Sequence, residues 1–330
     1  MPGPQLASAD IAGTARLREA WMAQSSRTPR AVTASAPGRI TLSLRVGPRA
    51  ADGYHPVASV FQAVGLTDYV TVKPADDWSV HYDGPFATDR LPADETDLAM
   101  RAARLLAGRF ARVRRPCRIE VEKNIPAEAG LGSGPADAAA TLVACAQLWG
   151  LELSRAELHG LASELGADVP FALAGGTALG TSRGDRLTTL LCRGAYTWVL
   201  VLSDARLPTP SVYRRLDDLR ESRRIRDPEA APDLLQALAS GDAAHLAAEL
   251  VNDLDLPARR MAPLVTDVHR AGLEAGALGS VLTGSGPTVA LLARDAAHAL
   301  ELSVMLSATP DVTAVLRTTG PRPGARVMRR

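Results

Sequence analysis

The chain has 330 residues, 46% of them hydrophobic and 22% charged, with a formal net charge of +1. That length supplies one large or two ordinary domains with a sizeable core, and the composition excludes a disordered chain. The balanced charge gives no chain-wide surface for nucleic acid, and no apolar run approaches the roughly eighteen residues that cross a membrane.

Cys117, Cys145 and Cys192 are scattered and odd in number, which suits free thiols in a reducing cytoplasm better than disulfides or a zinc site. The six histidines have no ligand spacing, so no metal is expected to be held by the protein alone. Residues 1–31 lack the apolar core of a secretory signal and read as a flexible extension, with a short helix near Ala7 to Gln24. Lys73 and Lys123 are the only lysines, so arginine supplies every other basic residue.

In chain order, Ile40 to Val46 alternates apolar and polar residues and predicts a half-buried strand. Asp52-Gly53 marks a turn, and strands follow at Val57 to Leu66 and Tyr69 to Val72. Leu98 to Phe110 has helical spacing and Cys117 to Val121 reads as a strand. Helices are predicted over Pro135 to Trp149 and Ala156 to Leu165, and a buried strand over Trp198 to Leu202. Asp217 to Pro232 reads as a solvated loop or helix end, before helices at Asp233 to Leu250 and Met261 to Ala275. Val281-Leu282 and Val289 to Leu292 flank a glycine turn, Gly284-Ser285-Gly286-Pro287. The mixture is α+β with two lobes.

Gly130-Leu131-Gly132-Ser133-Gly134-Pro135 is the strongest local signal. Its glycines allow close backbone approach and positive φ, and Pro135 suits a first helical turn. The helix that follows would aim free N–H groups and its positive dipole end at an anion. Equally, such a segment can be a plain loop-to-helix junction.

Ala36-Pro37-Gly38-Arg39-Ile40-Thr41, Asp52-Gly53-Tyr54-His55, the glycine loop, Gly166-Ala167-Asp168-Val169-Pro170-Phe171 and Thr283 to Thr288 follow in order. Together they resemble the GHMP small-molecule kinase superfamily. Within it they are most similar to the branch that phosphorylates a cytidine-diphosphate-linked polyol in non-mevalonate isoprenoid synthesis. The resemblance implies a two-lobed GHMP kinase fold, with an N-terminal ribosomal-protein-S5-like lobe and a C-terminal ferredoxin-like α/β lobe. Those lobes would span 32–180 and 181–320, with a tail at 321–330. It implies ATP and Mg²⁺, a cytoplasmic monomer or homodimer, and transfer of a phosphoryl group to a 2-hydroxyl.

By the same resemblance Asp168 is the base, although a lone aspartate before Pro170 can simply cap a helix. Arg39 stands where this branch carries lysine, and it is assigned electrostatic stabilisation, since a guanidinium does not shed its proton. Lys123, Gly130, Gly132, Ser133, Gly134 and Asp97 fall on the ATP and phosphate side. Thr41, Tyr54, His55, Thr209, Tyr213, Gly284, Ser285 and Gly286 fall on the substrate side. Tyr54 and Tyr213 would stack on the cytosine, and His55 would bond its edge.

Four further positions depart from the family pattern: Thr41 and Asp97 where asparagine is usual, Ser133 for a glycine, and Pro135 for a serine. Ser133 could supply a substitute hydroxyl, whereas Pro135 removes a backbone donor. A paralogue with another acceptor, or a catalytically weakened nucleotide-binding relative, are the competing readings.

Overall fold

The computed structural model describes residues 31–110, 115–221 and 225–328. The extension and its helix near Ala7 to Gln24 lie outside them. In chain order the first elements are β1 (Val32–Val46), β2 (Val57–Pro74), β3 (Ser79–Asp83), α1 (Leu98–Arg109) and β4 (Cys117–Glu122). Next come α2 (Ser133–Leu148), α3 (Arg155–Leu165), α4 (Val169–Ala174), β5 (Thr177–Thr181) and β6 (Arg186–Thr189). The rest are β7 (Tyr196–Ser203), α5 (Thr209–Arg220), α6 (Pro232–Ser240), α7 (Ala243–Ala248), β8 (Val251–Asn252), α8 (Asp255–Met261), α9 (Leu264–Glu274), β9 (Gly279–Leu282), β10 (Val289–Ala293), α10 (Ala296–Leu306), β11 (Val312–Gly320) and β12 (Arg326–Val327).

Two sheets organise these elements. The first runs β12-β1-β2-β4-β3, with β5 and β6 continuing from β2 and β8 parallel to β1. Helices α1 to α4 and the sheet's apolar side chains, Ile40, Leu42, Val70 and Ile119 among them, share one core. The second sheet, β11-β7-β10-β9, is antiparallel. Its β-α-β-β-α-β succession around a strand order of 4-1-3-2 is the ferredoxin-like arrangement. Leu200 and Trp198 of β7 reach the first core, while Val199 and Val201 face a second core with α5 and α8 to α10.

Local chemistry explains the boundaries. Helix α2 is rich in alanine and buried on nearly every side, which lets β1, β2 and α1 approach it closely. A capping box between Ser154 and Glu157 starts α3. The helix predicted over Asp233 to Leu250 is broken in two: Gly241 takes φ 80 and ends α6, and Asp242 accepts from Ala244 and His245 to start α7. The helix predicted from Met261 starts later, at Leu264: Met261 closes α8, and Pro263, which has no N–H to donate, precedes the first turn of α9. The stretch read as a solvated loop or helix end from Asp217 is the end of α5 as far as Arg220.

The first lobe's sheet does not end where the sequence suggests. A boundary at 180 cuts the β5–β6 hairpin, and the segment read as a tail from 321 returns to pair β12 with Ala34 and Ser35. That return is tightly fitted. Gly176 N–H donates to the Arg322 carbonyl (2.7 Å) and Ala325 N–H to the Ala172 carbonyl (2.9 Å). Gly175 has φ +67, and a Cβ there would lie 2.0 Å from the Gly324 nitrogen. Gly175→Ala should therefore cost at least about 1–3 kcal/mol from backbone strain alone, read as a lower urea midpoint with an unchanged slope.

Candidate active site

The floor of the site is an ion cluster beneath the glycine loop. Lys123, just past β4, is 0% exposed. Its ammonium donates to Asp68, to Ser133 Oγ (2.5 Å) and to Asp137 Oδ2 (2.6 Å). The other oxygen of Asp68 accepts the N–H groups of Asn124 (2.6 Å) and Ile125 (2.7 Å). Burial by itself would push the Lys123 ammonium down, but Asp137 and Asp68 outweigh it and hold the group above its ordinary value. Burial and the charge of Asp68 push the Asp137 carboxyl up, against the pull of Lys123, and its Oδ1 is buried without a partner.

Burial revises three expectations. Lys123 is sealed under the loop and does not face a nucleotide. The Ser133 hydroxyl is spent inward, accepting from Lys123 and donating to the Ile125 carbonyl (3.1 Å), so it offers phosphate nothing. Asp97 is buried as the N-cap of α1, accepting from Met100 N–H (2.8 Å) and from the Tyr82 hydroxyl.

Above the cluster the loop turns on Gly130 (φ 73) and Gly132 (φ 74), conformations that L side chains rarely adopt. A Cβ on Gly130 would lie 2.5 Å from the Thr283 carbonyl, and one on Gly132 would lie 3.0 Å from Arg39 Cγ. Gly132 is the N-cap of α2 and supplies no capping side chain, so the first helical N–H groups face outward unsatisfied by the helix. Pro135, in that first turn, has none to add.

Arg39 fastens the loop to the reacting side. Its backbone N–H donates to the Leu131 carbonyl (2.8 Å). Nη1 donates to the Gly130 carbonyl (2.9 Å) and to Thr41 Oγ1 (3.1 Å), and Nη2 to Asp168 Oδ2 (2.6 Å). Register irregularities at Pro37/Gly38 and Thr41/Ser43 bracket Arg39 in β1, where bulges re-aim side chains. Phe61 carries the guanidinium on its ring, 5.2 Å from the centroid. Asp168 leads into α4 yet makes no capping bond, and its side chain stays 29% exposed against 13% for Arg39.

The second glycine turn closes the same cleft. Thr283 Oγ1 donates to the Gly130 carbonyl (3.1 Å), and Gly284 N–H donates to Thr41 Oγ1 (3.3 Å). Asn252 donates to the Leu282 and Gly284 carbonyls (both 2.7 Å) and so braces the turn. At Gly286, φ is 85 and a Cβ would meet Leu282 at 2.8 Å. Ser285 and Thr209 hydroxyls meet at 2.9 Å across the cleft.

The aromatic end is assembled from β2, the loop before it, and α5. His55 Nε2 lies 2.8 Å from Asp217 Oδ1, and its ring lies 5.2 Å from that of Tyr213. Burial pushes the Tyr213 phenol up to about 12, and the negative charge of Asp168 adds to this. Tyr54 is the outermost member at 57% exposure. Asp68, Asp137 and Asp217 were not singled out from the sequence. Asp137 did carry a signal, as a lone charge in an alanine run one helical turn after Ser133.

Known proteins resemble this chain along most of its length. The family described as GHMP kinases N terminal domain matches residues 97–176, and GHMP kinases C terminal matches 234–311. The 4-diphosphocytidyl-2-C-methyl-D-erythritol kinase of Leifsonia xyli subsp. xyli is 50% identical, covering 90% of this chain and 99% of that protein. The protein of the same name from Streptomyces avermitilis is 44% identical over 90% of this chain and 99% of its own length. A crystal structure of 4-(cytidine 5'-diphospho)-2C-methyl-D-erythritol kinase aligns with TM-score 0.70 and 32% identity, covering 87% of this chain and 98% of the other. Leishmania major mevalonate kinase shares the fold at TM-score 0.71 and 16% identity, covering 88% and 95%. The chain belongs to the GHMP kinase family, within the group of 4-diphosphocytidyl-2-C-methyl-D-erythritol kinases.

Removing one partner of a buried ion cluster strands the opposite charges. Lys123→Met should cost about 3–5 kcal/mol of stability, measured by chemical denaturation. Ser133→Ala should cost about 1–3 kcal/mol in the same measurement, because the Ile125 carbonyl and the ammonium each lose a partner.

Proposed function

We propose that the protein transfers the γ-phosphoryl group of ATP to the 2-hydroxyl of 4-diphosphocytidyl-2-C-methyl-D-erythritol. The observation that carries this reading is Asp168. Its carboxylate is uncapped and partly open, and it lies 2.6 Å from a guanidinium that also grips the glycine loop.

The chemistry follows from that placement. Asp168 accepts the proton of the attacking hydroxyl, whose oxygen bonds to the γ-phosphorus as the bond to the β–γ bridging oxygen breaks and ADP leaves. Arg39 holds Asp168 in place through the 2.6 Å contact, and presents positive charge where the phosphoryl group passes. The glycine loop and the first N–H groups of α2 receive the phosphates. Among the described residues no group of three acidic, His or Cys side chains could hold a metal ion. ATP would bring Mg²⁺ bound to its own phosphates, where the metal would neutralise their charge. Tyr54, His55 and Tyr213 would hold the cytosine at the far end, and Thr209 and Ser285 would line the path between, whereas Thr41 is buried and faces Arg39 and Gly284. Among the described residues no helix is long and apolar enough to cross a membrane.

The reading of a weakened relative rested on Thr41, Asp97, Ser133 and Pro135. Thr41 bonds Arg39 and Gly284, Asp97 caps α1, and Ser133 anchors Lys123. Pro135 is the one change among them that takes a donor from the cradle.

A coupled assay of ADP release with the cytidyl substrate tests the function. Asp168→Asn should lower kcat by about 10²–10⁴, the usual contribution of a positioned base, while CDP still binds. A variant that keeps full turnover would sink the assignment. Pro135→Ser should raise kcat/KM for ATP about two- to tenfold, the value of one ordinary hydrogen bond; a wild-type value in that variant would mean the cradle makes no use of a donor at 135.

A further inference from the structure

The β5–β6 hairpin reaches over the aromatic end of the cleft from a different part of the chain. Its tip is fixed at several points. Gly184 N–H donates to the Thr181 carbonyl (3.0 Å), Arg183 N–H donates to Asp185 Oδ1 (3.2 Å), and Val57 N–H donates to the Ser182 carbonyl (2.8 Å). Ser182 itself takes φ 63, the left-handed region that is uncommon for a residue with a side chain. Such strain persists where the surrounding structure over-determines it, and it clusters at functional sites.

What this tip delivers is Arg183. Its guanidinium carbon lies 4.0 Å from the centroid of the Tyr54 ring, and Nη2 donates to Asp52 Oδ2 (2.7 Å). The other oxygen of Asp52 accepts the Tyr54 N–H (3.0 Å). Asp52, Arg183 and Tyr54 thus close a ring of contacts around a tyrosine that is otherwise mostly exposed. Both members of the ion pair are half in water, where such pairs contribute little to stability. The ring of contacts is better placed to fix the plane of Tyr54 than to hold the fold together.

We propose that Arg183 is a positioning residue for nucleobase recognition. It covers one face of Tyr54 and leaves the opposite face, already oriented, for the base. The cytosine would then complete a stack of guanidinium, phenol ring and base. The inference rests on the cytidine reading above and adds to it a residue outside every motif that suggested that reading.

Calorimetry with CDP and with phosphate-free cytidine tests it on wild type, Arg183→Gln, Tyr54→Leu and the double variant. Arg183→Gln should weaken both ligands about two- to fivefold, as an exposed cation–π contact would. In the Tyr54→Leu background it should have no further effect. The KM for the cytidyl substrate should rise by the same factor, and the KM for ATP should not move. Asp52→Asn should reproduce part of the loss. A loss for CDP but not cytidine would make Arg183 a phosphate contact and overturn the proposal. So would unchanged or tighter binding, or a loss that persists without Tyr54. A wild-type chain that binds neither ligand would instead overturn the cytidine reading, and this inference with it.

Discussion

One buried ammonium determines where the phosphate loop can stand. Lys123 has no water to solvate it, so the fold must bring it acceptors. Asp68 comes from β2, Asp137 from the second turn of α2, and Ser133 from the start of that helix. Strand, helix and loop are therefore held to one point, and the glycine turn above has little freedom to shift. That placement puts the Gly130 carbonyl within reach of Arg39, which in turn holds Asp168. The site's geometry descends from a cluster that touches no substrate.

The arginine at position 39 fits this arrangement for a physical reason. A guanidinium is a planar fork with several fixed donors, and here one nitrogen serves the loop and Thr41 while the other serves Asp168. An ammonium would have to divide three rotatable donors among the same partners. Phe61 supports the flat face. The departure from lysine is thus matched by the neighbours that arginine requires, including the close approach permitted by Gly132.

The parts of this organisation that depend on local pattern were legible in the sequence. The existence of β1, of the small-residue helix α2 and of the two glycine turns follows from short-range rules and the order of the motifs from the family resemblance, although β1 is buried on both faces where its alternation suggested one. What was hidden depends on contacts far apart in the chain. Lys123 and Asp97 read as nucleotide ligands by position, and only the burial of Asp68 and Asp137 around one, and the cap of α1 at the other, reveal their tasks. Gly241 divided a helix whose apolar spacing ran on across it. A two-residue strand such as β12 carries almost no pattern of its own. Its place is set by β1, nearly three hundred residues away.

The return of β12 also dictates an order of events during synthesis. Chains emerge N-terminal end first, and domains commonly fold as units while that happens. Here the lobe made first borrows its edge from residues 326–327, which leave the ribosome after the whole second lobe. The hydrogen-bonding edge of β1, the strand that bears Arg39, stays open in the meantime. Unpaired edges invite association with other chains. The first lobe thus keeps an open strand edge until β12 arrives to pair with Ala34 and Ser35.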